Sequence, residues 1–215
     1  PTSSLPPVPE FYGETMGTPY KVVLAELGED LTLEAVRQQV EDRLDQINQV
    51  MSTYIADSEL SQFNQSTSTE WVAVSKELLQ LIQRAHEISH ATDGAFDITV
   101  GPAVNLWQFG PRDISQDRKL PEPTAIETVK TKIGYQYLDI DEENCSLRKA
   151  FPELYIDLSA IAKGYAVDEV LTLLKKYPLG NGCLVEIGGE IGTHGIRADG
   201  NPWKIGIQQP DSKPG

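Results

Sequence analysis

The apolar positions of this chain follow two periods, one of three to four residues and one of two, and together they outline an α+β protein. Leu33, Val36, Val40, Leu44, Ile47 and Met51 recur at helical spacing behind the acidic Glu29 and Asp30, which predicts a long amphipathic helix. Leu78, Leu79, Ile82, Ala85 and Ile88 predict a second helix, capped by Ser75 and stopping at Thr92-Asp93-Gly94. Ser58 is the cap of a short helix, and Thr124 with Glu127 has the spacing of a capping box for another that ends near Gly134. Ile156-Asp157-Leu158 is a strand-like lead-in to Ser159. From that N-cap, Ile161, Ala162, Tyr165, Ala166, Val170, Leu173 and Leu174 carry a helix to about Tyr177, where Pro178 closes it. Strands are predicted at Tyr20 to Leu27, Trp71 to Val74, Tyr135 to Ile140, Cys145 to Lys149 and Leu154 to Leu158. A further strand runs from Cys183 into the Gly188-Gly189 turn, and Asp199-Gly200 suits a turn before Trp203 to Ile207. The sum is a set of antiparallel strands flanked by helices, with no internal repeat.

Composition narrows the class. The chain has 215 residues, 40% hydrophobic and 23% charged, enough to bury a core. The first ten residues, with prolines at 1, 6, 7 and 9, read as a tether, and residues 11–215 as the folded domain. Asp113 to Pro123 and Asp211 to Gly215 have loop composition. A net charge of −14 and a pI near 4.6, without a basic patch, argue against nucleic acid and anionic lipid surfaces as partners. No run approaches the roughly 18 apolar residues that span a bilayer. Cys145 and Cys183 fit either one disulfide or two separate buried thiols. His86 and His90 stand four apart with Glu87, Ile88 and Ser89 between them; no zinc site is assigned, because ligand-rich motifs need their full set.

The candidate chemistry gathers around the segment from Ile156 to Asp168. A helix N-terminus favours anions, and Asp157 precedes the helix while Lys163 lies one turn inside it. That arrangement suits a phosphate or a phosphate with a metal. Gly94-Ala95-Phe96-Asp97 sets small residues beside an aromatic and a carboxylate, which lets backbone approach a planar ligand. The Gly188-Gly189 turn is a further candidate for presenting amides to an anion. Tyr54 follows the long helix as an isolated aromatic, and Met16-Gly17-Thr18-Pro19 makes a turn into a strand.

Five stretches, taken in order, resemble one family over Phe11 to Pro210. They are Met16-Gly17-Thr18, Met51-Ser52-Thr53-Tyr54 with Asp57-Ser58-Glu59, Thr92 to Asp97, Asp157 to Tyr165, and Glu186 to Glu190 followed by Asp199-Gly200. The chain is similar to the N-terminal two-thirds of the ApbE-type FAD:protein FMN transferases. The resemblance implies a T-fold-like architecture and a bacterial, periplasm-facing lipoprotein that binds FAD with Mg²⁺. Such an enzyme cleaves the pyrophosphate, releases AMP and joins FMN through a phosphoester to a Thr or Ser of a target protein, typically a respiratory ion-pump subunit. It implies that Met16, Tyr54, Ala95, Phe96, Asp97, Asp157 and Lys163 contact FAD, and that the carbonyl of Ala160 is one Mg²⁺ ligand. Asp157 would accept from the adenine or from the ribose. The proline-rich opening would be the tether behind a signal peptide and a lipid-bearing Cys. The family's pattern continues with a His-x-Ile-Asp-Pro-like turn and an Asp-x-x-x-Thr pair that complete the metal shell, so the 215 residues alone are expected to bind FAD weakly and to transfer nothing. Two other readings remain open: an FAD-binding protein without transferase activity, and a pyrophosphatase that yields FMN and AMP.

Overall fold

The computed structural model describes residues 8–110, 120–207 and 209. The first seven residues of the proline-rich opening, residues 111–119 of the polar loop and the closing 211–215 segment lie outside the described residues. In chain order the elements are β1 (Glu10–Thr15), β2 (Thr18–Leu24), α1 (Leu33–Met51), α2 (Glu59–Gln65), β3 (Val72–Ala73), α3 (Lys76–Ala91), α4 (Gly101–Leu106), α5 (Pro123–Lys130), β4 (Leu138–Asp141), β5 (Ser146–Lys149), α6 (Ser159–Leu174), β6 (Gly182–Ile187) and β7 (Glu190–Gly195). They form two compact units. One comprises Pro1–Arg43 with Ala166–Gly215, and the other Leu44–Tyr165, so the division falls within α1 and α6.

The first unit is built on an antiparallel sheet in the order β1-β2-β6-β7. Its central strands alternate: Tyr20, Val22 and Leu24 of β2 are buried, and they pair across the ladder with the buried Ile187, Val185 and Cys183 of β6. The sequence pattern recognises β2 but not β1, which pairs with it from Glu10↔Val23 to Thr15↔Thr18. The two-residue turn joining them holds Met16 at φ 52° and Gly17 at φ 70°, the conformation that matches the twist of a hairpin. The second hairpin, β6 to β7, turns through Gly188 and Gly189, both at positive φ. Val36 and Val40 of α1 and Val167, Val170, Leu171 and Leu174 of α6 are buried with them. A Cβ on Gly192 of β7 would come within 2.5 Å of Leu171 and 2.6 Å of Val167, so glycine there lets helix and strand meet. Asp199-Gly200 does form a turn, with Gly200 N–H donating to the Arg197 carbonyl, but Trp203 to Ile207 form no strand among the described residues.

The second unit carries a three-stranded antiparallel sheet, β3-β5-β4, with α2 to α5. Ser58 and Ser75 cap α2 and α3 as expected, their hydroxyls accepting the N–H of Ser61 at 3.0 Å and of Leu78 at 3.1 Å. The apolar face of α3 is buried through Leu78, Leu81, Ile82 and Ala85. Three expectations are corrected here. Helix α5 has Pro123 in its first turn, starts from Glu122 and ends at Lys130, with no side-chain cap among the described residues; Glu127 pairs instead with Lys130 at 2.8 Å. The segment from Leu154 to Leu158 is extended and carries no ladder among the described residues. Helix α6 begins at Ser159, but its cap is the carboxylate of Asp157, which accepts the Ser159 N–H at 2.8 Å. The Leu158 carbonyl takes the first helical bond, from Ala162.

Candidate functional site

The entry to α6 is the point on which the predicted residues of the second unit converge. Leu154, Ile156 and Leu158 bury their side chains completely or nearly so, and Asp157 is itself only 7% exposed. Apolar burial on alternate positions fixes the segment's rotation and leaves Asp157 to meet the helix start. Its N–H donates to the Ile98 carbonyl at 2.8 Å, so the loop carrying Ala95, Phe96 and Asp97 runs directly beside the junction. Ala160, exposed, and Lys163, half-buried, lie in the first two turns of α6. Farther along the same helix, the Tyr165 hydroxyl bonds Glu77 at 3.0 Å and ties α6 to α3.

Tyr155 joins the junction to the segment after α1. Its phenol bonds the side chains of Asn105 and Thr53, while burial first, and the neighbouring Asp157 charge second, push its pKa up. Tyr54 is a neighbour in the same cluster, 65% exposed, its hydroxyl donating to the Phe109 carbonyl at 3.1 Å. The close approach depends on Gly101, where a Cβ would fall 2.2 Å from the Tyr155 ring. The cluster thus offers an exposed aromatic, a half-buried phenol and a buried carboxylate at a helix N-terminus.

The loop after α3 is held by its own hydrogen bonds. Asp93 and Gly94 take positive φ and end the helix, with Gly94 N–H on the Ser89 carbonyl at 2.8 Å. The Ala95 N–H donates to the Thr92 carbonyl and the Phe96 N–H to the Thr92 hydroxyl, both at 3.1 Å. Those amides are committed within the chain, while Ala95 is exposed and Phe96 half-buried. Asp97 acts as a clasp: one oxygen accepts the Thr99 N–H at 2.8 Å and hydroxyl at 2.7 Å, and the other the Tyr135 N–H at 2.8 Å. In the Gly188-Gly189 turn, the Gly188 N–H donates to the Pro19 carbonyl at 3.1 Å. Met16, half-buried on the β1–β2 turn, belongs to the first unit.

His86 and His90 pack with an aromatic neighbour. His86-Glu87-Ile88-Ser89-His90 does have the His-Glu-x-x-His spacing of zincins, with both rings on one helix face. The rings lie edge-on, 4.9 Å apart, and both pack against Tyr135, while Glu87 pairs with Arg84 at 2.7 Å. Among the described residues no three His, Cys, Asp or Glu side chains are placed to hold a metal ion. The same holds at the α6 entry, where the donor proposed for Mg²⁺ is one helix carbonyl, Ala160; that falls well short of an octahedral oxygen set. Cys145 and Cys183 are both free thiols, and burial pushes Cys183 up to about 11.

Two residues of the site carry no motif. Asn64 places its side-chain amide on both main-chain groups of Ile156, and Lys149, 2% exposed, donates to the carbonyls of Asn64 and Ser66. The available signal was Lys149 on the same strand face as buried Leu147, an inward lysine where alternation calls for an apolar residue.

The ApbE family model matches residues 16–214. The chain belongs to the ApbE family. Curated ApbE relatives include the FAD:protein FMN transferase of Vibrio cholerae, 41% identical over 92% of this chain and 58% of its own length. That of Haemophilus influenzae is 40% identical over the same shares. The chain therefore spans less than two thirds of the curated relatives it matches. Among solved structures, flavin transferase ApbE from Vibrio cholerae superposes with a TM-score of 0.87 at 39% identity, covering 95% of this chain and 65% of that one. The α+β architecture of antiparallel sheets and helices is the ApbE fold.

Proposed function

We propose that the whole protein transfers FMN from FAD to a Thr or Ser hydroxyl of a target protein, in a Mg²⁺-dependent reaction that releases AMP. The observation that carries this reading is the convergence of Tyr54, Tyr155, Asp157 and the Ala95-Phe96-Asp97 loop on the start of α6, in a family with curated members named FAD:protein FMN transferase. The acceptor oxygen bonds to the phosphorus of the FMN half, and the bridging P–O bond of the pyrophosphate breaks. AMP leaves with the bridging oxygen, and the hydroxyl proton is lost to solvent.

In this assignment each group has a separate task. The start of α6 faces anionic phosphate with its partial positive charge, and Lys163 adds a cation one turn later. Asp157, held by the Ser159 and Ile98 main chain, accepts from the adenosine half. Tyr54 and Phe96 offer ring faces to the flavin or adenine. Mg²⁺ supplies charge neutralisation on the pyrophosphate when bound. Its ligands besides the Ala160 carbonyl are oxygens that the described residues do not gather. We further propose a periplasm-facing lipoprotein tethered by its proline-rich opening, with a respiratory ion-pump subunit as acceptor; no helix among the described residues is long and apolar enough to cross a membrane.

The test is mass analysis of a Thr-bearing acceptor protein incubated with the whole protein, FAD and Mg²⁺. The expected result is an acceptor heavier by one FMN residue, with AMP in solution. Free FMN with AMP would assign hydrolysis instead, and unchanged FAD a flavin-binding role; either result overturns transfer.

A further inference from the structure

We propose that Asn64, itself fixed by Lys149, is the positioning residue that aims Asp157 at the ligand. This inference rests on the functional reading above. Asp157 belongs to an extended segment with no strand neighbour among the described residues, so the polar groups of its backbone need partners from elsewhere. Asn64 meets that need for Ile156 with one side chain. Its Oδ1 accepts the Ile156 N–H and its Nδ2 donates to the Ile156 carbonyl, both at 2.8 Å. Only one orientation of the amide satisfies a donor and an acceptor together, and two bonds to one residue fix its rotation as well as its place. The next residue is Asp157, whose direction is set by that rotation.

Asn64 is held from the other side. It lies in the last turn of α2, where carbonyls lack helical partners, and Lys149 of β5 donates to the carbonyl of Asn64 at 3.0 Å and of Ser66 at 2.8 Å. The same ammonium stands 5.1 Å from the Phe63 ring. A buried lysine is a costly way to satisfy carbonyls that water would otherwise solvate, and it is placed where the clamp on Ile156 begins. The geometry runs from β5 through the end of α2 to the α6 entry, with Asn64 bonded to β5 through its main-chain carbonyl and to Ile156 through its side chain.

The experiment uses the whole protein with Asn64→Leu, Asn64→Asp and, as a core-packing control, Ile82→Val in the buried face of α3. Two quantities are read: the Kd for FAD, and amide exchange at Asp157 and Ser159. Asn64→Leu is expected to weaken FAD by about tenfold or more and to speed exchange at both amides, while Ile82→Val changes neither. A smaller loss of affinity in folded Asn64→Leu, or unchanged exchange, overturns the proposal, as does an equal effect of Ile82→Val. Should Asn64→Leu not fold, Asn64→Asp, which keeps the acceptor and loses the donor, is judged by the same thresholds. If the unaltered protein binds no FAD, the functional reading fails, and exchange alone decides the positioning role.

Discussion

Lys149 is the residue at which stability and pH are most directly coupled. Burial pulls its pKa down from 10.5 to about 8, while the carbonyls that accept its protons act in the opposite direction. Because the folded value is the lower one, the unfolded chain binds more protons between about pH 8 and 10.5, and stability from this group rises with pH across that window. Chemical denaturation at pH 7.5 and 9.5, on the unaltered protein and on Lys149→Met, isolates the effect. The unaltered protein should gain up to about 2 kcal/mol on the variant between those two values, given a folded pKa near 8. Tyr20 does not mask this: burial and Glu41 push it up to about 12, so its opposite contribution begins only above the ordinary phenol range near 10. A gap between the two proteins that is independent of pH would mean that the carbonyls keep Lys149 charged throughout.

Among the elements, the caps show what short-range chemistry determines. Ser58 is fully buried; its hydroxyl accepts the Ser61 N–H at 3.0 Å and donates to the Ser52 carbonyl, closing the loop that carries Tyr54. Ser58→Ala removes both bonds and is expected to lower stability by about 1–2 kcal/mol in a denaturant titration. Asp157→Ala removes the α6 cap, and should cost about 1 kcal/mol in the same assay. It should also weaken FAD binding, which Ser58→Ala affects only through the Tyr54 loop. Ser58 and Ser75 were legible in the sequence because a cap reads an N–H three residues away. The Thr124–Glu127 box was not realised, because Pro123 already opens α5 and Glu127 turns toward Lys130. Leu154 to Leu158 shows the limit of periodicity. Its alternating burial is that of a strand, but its hydrogen-bond partner is an amide 92 residues away, which no local pattern carries. Thr92 likewise takes the Ala95 and Phe96 amides within its own turn, a local pairing that the residue types alone do not announce.

Over these 215 residues, 18 basic against 32 acidic side chains leave a charge of −14, and the proposed ligand carries a pyrophosphate dianion. Like charges slow encounter when the field reaches far, and the Debye length shrinks from about 30 Å at 0.01 M salt to about 8 Å at 0.15 M. At the α6 entry Asp157 adds a negative charge, while the helix N-terminus and Lys163 are positive with a reach of a single turn. Long-range repulsion therefore governs approach, and local attraction governs residence once the phosphates arrive. Stopped-flow mixing of the whole protein with FAD should give an association rate that rises between 0.01 and 0.15 M NaCl, while dissociation also quickens as the local attraction is screened. MgCl₂ at matched ionic strength should raise association further than NaCl, because the ion pairs with the pyrophosphate and reduces the charge that must approach. An association rate that falls with salt would place steering in the positive field of the α6 entry and overturn the division of roles between net charge and site.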